Sequence, residues 1–144
     1  MLKWSDVPPS WLAAVVFGLW WVAPGGARPE LLWIGGGFVA LGLALIFWAA
    51  FVMTRARTTV VPHLRASTLV TSGPFRMSRN PIYLGDALIL AGLMLRWGAW
   101  WTLPLVALFI FIITQRFILS EEARLTEDFG PAFDAWCQKT RRWL

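Results

Sequence analysis

The sequence is poor in cysteine, histidine and charge. Among its 144 residues are one cysteine, one histidine and only 15% charged residues. A single thiol, Cys137, has no partner for an intrachain disulfide. With one histidine, His63, and one cysteine in all, the sequence also argues against a zinc site built from Cys and His ligands. The sequence therefore predicts neither a disulfide framework nor a metal centre.

Charge is scarce because a long stretch has none. No charged residue lies between Leu31 and Met53, and the whole chain is 58% hydrophobic with a mean hydropathy of +0.60. About 20 apolar residues suffice for a helix to cross the hydrocarbon core of a bilayer. The alternative is a buried helix of a soluble protein, which is rarely so long and so uniformly apolar. The chain is therefore predicted to be an integral membrane protein.

Apolar segments predict an all-α fold, a polytopic membrane bundle of about four transmembrane helices in a single domain over residues 1–144. The predicted spans are residues 10–23, 31–53, 81–95 and 97–116. The first could instead be a signal peptide, although it is rich in tryptophan. In the tail, residues 120–144, apolar side chains recur at helical spacing among charges, and Gly130-Pro131 suits the end of one helix and the start of the next. This tail predicts an amphipathic helix on the cytoplasmic side.

The distribution of arginine and tryptophan predicts an orientation. The connection 54–80 has no acidic residue but carries Arg55, Arg57, Arg65, Arg76 and Arg79. Because positive loops stay in the cytoplasm, this connection and both termini are predicted to lie there, in a bacterial-type inner or cell membrane. An aromatic belt is expected at the opposite interface from Trp20, Trp21, Trp33, Trp97, Trp100 and Trp101. The net charge of +5 then favours membrane lipids or an anionic substrate as partners over nucleic acid.

Glycines recur inside two of the predicted spans. They are Gly35, Gly36, Gly37, Gly42, Gly85 and Gly92. Small residues in membrane helices allow neighbouring backbones to approach closely. No Walker or dinucleotide fingerprint follows a predicted strand. Helix packing is therefore the preferred interpretation of these glycines.

Candidate functional residues gather at the cytoplasmic ends of the predicted helices. Asn80-Pro81 suits an N-cap followed by a first helical residue, and such a helix start favours an anion. Asp86 lies inside an apolar span, where an ionisable group is a functional candidate, with Arg79 or Arg116 as its expected counter-ion. Adjacent carboxylates at Glu121-Glu122 point about 100° apart on a helix and can contact two different groups of one ligand. For each, these patterns alone fit an ordinary structural or lipid-facing role equally well.

Three blocks of sequence resemble a known superfamily of membrane enzymes. The first comprises Leu69–Arg76 and Arg79-Asn80-Pro81-Ile82-Tyr83-Leu84-Gly85; the second Glu121-Glu122-Ala123-Arg124-Leu125 with Phe129-Gly130; the third Phe133, Trp136 and Arg141–Leu144. In this order and spacing, over roughly residues 58–144, the chain resembles the isoprenylcysteine carboxyl methyltransferases and phospholipid methyltransferases. It departs from many members in having Asn80 where they have histidine and Phe133 where they often have tyrosine. The loss of the imidazole puts any proton transfer at position 80 in doubt.

The resemblance implies S-adenosylmethionine as the methyl donor, bound at the cytoplasmic face between the first two blocks. The implied donor-binding residues are Asn80, Pro81, Tyr83, Leu84, Gly85, Glu121, Glu122 and Leu125. Aromatic faces such as that of Tyr83 could cover the sulfonium by cation–π contact. The implied acceptor is a lipophilic small molecule or lipid.

The candidate catalytic residues are Arg76, Arg79 and Glu122, and Arg141 and Asp86 are candidates for substrate binding. A carboxylate acceptor is already ionised at neutral pH, so an arginine would only have to hold it. An amine acceptor would need a base, for which Glu122 or Asp86 is the candidate. Two alternatives stay open at this point: a membrane reductase of the sterol reductase type that uses NADPH, and a non-enzymatic membrane scaffold.

Overall fold

The computed structural model describes residues 8–22, 28–58 and 67–144, which form helices and no strand. The helices are α1 (Pro8–Val22), α2 (Pro29–Arg55), α3 (Pro81–Arg96), α4 (Pro104–Ile113), α5 (Leu119–Phe129) and α6 (Pro131–Lys139). Two short 3₁₀ turns cover Gly73–Arg76 and Trp100–Thr102, and a π-helical turn covers Thr114–Ile118. The predicted all-α class is confirmed. Arg65 and His63 lie outside the described residues.

Proline lies at the start of most of the described α-helices. Pro29, Pro81, Pro104 and Pro131 each occupy the first turn of a helix. The fixed φ of proline suits that position, and its missing N–H removes a donor that would have no helical partner there. The helix boundaries at the loop before α3 and at the Gly130-Pro131 junction therefore follow from the sequence.

Among the described residues, two helical runs are long and apolar enough to cross a membrane. They are Pro29–Arg55 and Trp100–Phe129. Helices α1 and α3 are shorter, with 15 and 16 residues. The described helices agree closely with the predicted segments 10–23, 31–53 and 81–95, whereas a count of four spans stays a prediction.

The helix in the fourth predicted segment, 97–116, has other ends than the segment does. Its α-helix begins at Pro104 and not at Trp97, because a turn and a 3₁₀ turn occupy the residues between. It also does not stop near residue 116, because the π turn joins α4 directly to α5. The helix therefore continues past its apolar part as far as Phe129, through the charged residues of α5, while the membrane boundary of this span stays a prediction.

Helix α3 is the centre of the fold, with contacts to α1, α2 and α4. Its contact with antiparallel α2 runs through two glycine pairs. A Cβ atom on Gly42 would lie 2.6 Å from the carbonyl oxygen of Gly85, and one on Gly35 would lie 2.5 Å from that of Gly92. No side chain fits at these distances, so the expected packing role is confirmed for these two pairs, whereas an added Cβ at Gly37 would meet nothing within 4 Å.

Two apolar clusters organise the molecule. One lies between α3 and the run α4–α5 and includes Leu90, Met94, Ile113 and Phe117, all nearly inaccessible. The other forms a cap at the end of α2, and it contains Ala49, Val70, Phe75, Phe133 and Trp136. The second cluster fastens the loop before α3 to helix α6, next to the start of α3.

Tryptophan and arginine collect at opposite ends of the described helices. Trp33, Trp100 and Trp101 are exposed near one end, where Arg96 also donates to the carbonyl of Leu32 over 3.0 Å. The other end carries Arg55, Arg57, Arg76, Arg79, Arg141 and Arg142. This polarity is the one that the sequence predicts for a membrane protein, although the side on which each end lies stays a prediction.

Candidate functional site

The end of the chain is hydrogen-bonded along the loop that leads into α3. The backbone N–H of Arg79 donates to the carbonyl of Arg141 over 3.0 Å. The carbonyl of Arg142 accepts from the side chains of Asn80, at 3.0 Å, and Ser78, at 3.2 Å. The first and third sequence blocks, separated by about sixty residues, are thereby joined.

The side chain of Asn80 does not cap α3. Asn80 occupies the N-cap position as predicted, but its amide donates to Arg142 and makes no capping hydrogen bond. The predicted capping interaction is therefore wrong, because the C-terminal segment takes the side chain away. The first amides of α3 are left without a side-chain cap, with the positive end of the helix dipole beside them.

The two adjacent glutamates face different partners. The hydroxyl of Tyr83 donates to Oε1 of Glu121 over 2.9 Å. The carboxylate of Glu122 accepts a two-pronged contact from Arg142, with Nε at 3.0 Å from Oε1 and Nη2 at 2.6 Å from Oε2. Nη2 of Arg79 lies 3.3 Å from the same Oε1. Glu121 therefore links the second block to the first, and Glu122 links the second block to both the first and the third.

Arg79 lies at the centre of this network. Besides Glu122 it contacts the Sγ of Cys137 through Nη1. Its Nε is buried and has no hydrogen-bond partner among the described residues. The expected pairing of Arg79 with Asp86 is not found, since the guanidinium is directed to Glu122 and Cys137; a pairing of Asp86 with Arg116 stays a prediction. Arg79 thus retains one buried donor beside the start of α3.

Arg142 is held by charge as well as by geometry. Its side chain is 36% exposed, and the hydrogen bonds with Glu122 raise the pKa of the guanidinium above its usual value. Two parallel hydrogen bonds between a guanidinium and a carboxylate are among the stronger polar contacts in proteins. The ion pair therefore orders the C-terminal segment against α5.

The π turn aims the glutamates at α3. In this turn the neighbouring residues Phe117 and Ile118 are both buried, and Thr114 donates its hydroxyl to the carbonyl of Ile110 over 2.7 Å. A π turn contains an extra residue, so it rotates everything after it relative to a regular helix. Glu121 and Glu122 follow at once and owe their direction to it.

The cap cluster supports the site from outside. The indole N–H of Trp136 donates to the carbonyl of Phe75 over 3.1 Å, and Phe133 packs edge-on against Trp136. Gly130, with a φ of +48°, makes the sharp turn that folds α6 back over the loop. Leu125 packs against the same cluster.

The remaining predicted site residues are distributed around this network. Pro81 and Gly85 are buried in α3, where Gly85 faces α2, and Leu84 is half-buried one turn above Asn80. Asp86 is buried one turn beyond Tyr83. Arg76 and Arg141 are exposed at the rim. Their predicted roles in binding or catalysis stay predictions.

Sequence analysis missed the part played by Arg142, Ser78 and Cys137. The adjacent pair Arg141-Arg142 belonged to the third block, but Arg141 was preferred as a binding residue. Which of two neighbouring arginines faces Glu122 depends on how the chain turns after α6, and no pattern in the sequence reports that. Among the described residues no group of three His, Cys, Asp or Glu side chains is arranged to hold a metal.

Comparison with known proteins identifies the family. The model of the phospholipid methyltransferase family matches residues 31–132, which include nearly all of α2 and the whole of α3, α4 and α5 with both glutamates. No curated protein and no solved structure matches the chain. The match favours the methyltransferase interpretation over the reductase and the scaffold. Since it covers more than half of the chain, the protein belongs to the phospholipid methyltransferase family and is a membrane methyltransferase.

Proposed function

We propose that the protein transfers a methyl group from S-adenosylmethionine to a lipophilic acceptor at the cytoplasmic face of the membrane. The acceptor is the carboxylate of a prenylcysteine-like compound or the amine of a lipid. The observation that carries this proposal is the contact between the start of α3 and the Glu121-Glu122 pair, 38 residues further along the chain from Tyr83. Two polar segments so far apart in the sequence enclose one site.

The polar groups at this site suit the charges of the donor. S-adenosylmethionine has a carboxylate, an ammonium, a ribose diol and a methyl-bearing sulfonium, and it supplies an electrophilic methyl group. The uncapped amides of α3 and the buried, unpartnered Nε of Arg79 suit the carboxylate. Glu121 suits the ammonium or the ribose hydroxyls, and the ring of Tyr83 suits the sulfonium.

Glu122 contributes by ordering the cations around the site. Both of its carboxylate oxygens already accept hydrogen bonds from guanidinium groups. In this proposal Glu122 fixes Arg79 beside α3. A donor group that contacts Glu122 shares its carboxylate with the two arginines.

The acceptor needs positioning more than activation. An exposed arginine at the rim, Arg76 or Arg141, would hold a carboxylate acceptor, whereas Asp86 or Glu122 would take the proton from an amine. Alignment of the reacting atoms contributes at best roughly 7–11 kcal/mol to lowering the barrier. The exposed apolar residues Phe47 and Phe51 of α2 favour a lateral approach of the acceptor from the bilayer.

The arrangement in the membrane is part of the proposal. Helices α1 and α3 would cross with the two longer runs, to give four spans, with both termini and the arginine-rich end in the cytoplasm. The amphipathic α5 and α6 would then lie at the cytoplasmic surface.

The test is methyl transfer from labelled donor into a membrane lipid extract, with purified wild-type protein and the variant Glu122→Gln. A neutral amide cannot hold two guanidinium groups, so we expect Glu122→Gln to remain folded in a thermal melt and to bind S-adenosylhomocysteine at least about tenfold more weakly. Glu127→Gln, the same change at an exposed position of α5, is the control and should behave as wild type. Wild-type protein that labels no lipid and binds no S-adenosylhomocysteine would contradict the proposal.

A further inference from the structure

The segment after α6 contributes to the site with both its backbone and its side chains. Three hydrogen bonds join the carbonyls of Arg141 and Arg142 to residues 78–80, and the Arg142 side chain joins the segment to Glu122. Trp143 packs against the core cluster between α3 and the α4–α5 run. The segment is therefore fixed on both sides of the site.

These contacts form one connected path. Arg142 holds Glu122, Glu122 contacts Arg79, and the backbone of Arg79 is bonded to Arg141. Asn80, the residue before α3, is bonded to the carbonyl of Arg142. The path closes into a ring beside the N-terminal end of α3.

From this ring we infer that Arg142 is a positioning residue of the methyltransferase site, and that the C-terminal segment Arg141–Leu144 is part of that site. Arg142 acts through Glu122 on Arg79 and touches no reacting atom itself. It lies outside the residues that match the family, which end at 132. The inference rests on the proposed use of S-adenosylmethionine.

The physical role of Arg142 is to keep Glu122 and Arg79 in one arrangement. Arg142 provides two of the three guanidinium contacts of Glu122, including the shortest at 2.6 Å. Without it, Glu122 and Arg79 would form a simple pair with fewer geometric constraints, and Arg79 would be free to leave Cys137 and the start of α3. The donor would then have to order these groups when it binds, which lowers its affinity.

The test compares Arg142→Gln, Arg142→Lys and Lys139→Gln in detergent-purified protein. Two quantities are measured: the dissociation constant of S-adenosylhomocysteine, and amide hydrogen exchange of the peptide that contains Arg79 and Asn80 without any ligand. We expect Arg142→Gln to weaken binding about tenfold and to speed exchange of this peptide. Lysine keeps the charge but cannot make the two-pronged contact, so Arg142→Lys should restore only part of the affinity.

Lys139→Gln is the matched control, since it removes one positive charge from an exposed position in the last turn of α6. It should change neither quantity. Melting temperatures show which variants are folded; if Arg142→Gln does not fold, Arg142→Lys decides.

The outcomes are distinguishable. Folded Arg142 variants with wild-type affinity and wild-type exchange would overturn the positioning role and leave the proposed function intact. Wild-type protein that binds no S-adenosylhomocysteine would overturn the proposed function, and this inference with it.

Discussion

Tyr83 joins α3 to α5 through a single hydroxyl. It is buried, and its hydrogen bond to Glu121 links the first and second sequence blocks, as the ion pair of Arg79 with Glu122 also does. The same side chain offers a ring to the proposed sulfonium. Substitution can remove the hydroxyl of Tyr83 alone, or the hydroxyl together with the ring.

We expect Tyr83→Phe to lower the free energy of unfolding by about 1 kcal/mol, because a hydrogen bond is lost while the ring stays. Donor affinity should fall by a similar free energy, about fivefold. Tyr83→Leu removes the ring as well and should weaken binding further. Calorimetric melting and binding of S-adenosylhomocysteine measure the two effects.

The control is Thr102→Val, which removes a buried hydroxyl that donates to the carbonyl of Ala99 over 2.6 Å at the other end of the molecule. It should reduce stability and leave donor affinity unchanged. Wild-type affinity in both Tyr83 variants would show that the donor does not use this residue.

At the scale of single residues, the sequence indicated which segments matter but not which atoms meet. Arg79, Asn80, Tyr83 and the glutamates were singled out, and they do come together. The partner of Asn80 was wrong, because the competing acceptor, the carbonyl of Arg142, comes from a segment more than sixty residues away. Long-range contacts of this kind leave no local pattern.

Among the elements, the contact of α2 with α3 is the closest. It depends on glycine at Gly42 and Gly85, where an added Cβ on Gly85 would lie 2.5 Å from the side chain of Ile46 and 2.8 Å from the carbonyl of Gly42. Backbone atoms cannot yield as a flexible side chain does. The contact therefore has no room for a methyl group.

We expect Gly42→Ala and Gly85→Ala each to lower the free energy of unfolding by about 1–3 kcal/mol, because the helices must separate to admit the methyl group. Gly37→Ala is the matched control, since nothing lies within 4 Å of its added Cβ. That change should be neutral or slightly stabilising. Thermal unfolding in one detergent compares the three, and equal melting temperatures would contradict the packing argument.

Element boundaries were predictable where proline marks them and not elsewhere. Pro81 and Pro131 start helices where the sequence places them. Near residue 116 the sequence predicts the end of a membrane span, but the helix does not end there, since hydropathy falls while the backbone continues through a π turn. Hydropathy reports the surroundings of a helix, whereas the π turn depends on the packing of Phe117 and Ile118 against α3.

For the whole molecule, orientation is the property to test. Cysteines at Arg28 and Gln138, both exposed and at opposite ends of the described helices, can be introduced singly in a Cys137→Ser background, which removes the one native thiol. A membrane-impermeant maleimide should label position 138 only in inside-out vesicles and position 28 only in right-side-out vesicles, because the arginine-rich end stays in the cytoplasm. The reverse pattern would contradict the proposed orientation.

The register of α2 against α3 also sets a depth. With Gly42 opposite Gly85 and Gly35 opposite Gly92, the start of α3 at Pro81 lies level with Ile46, nine residues before α2 ends at Arg55. At 1.5 Å per residue, α2 extends about 14 Å beyond the level at which α3 starts. In the proposed function, a water-soluble donor would therefore have to reach the start of α3 well below the end of α2, whereas a lipid acceptor would approach it from within the bilayer.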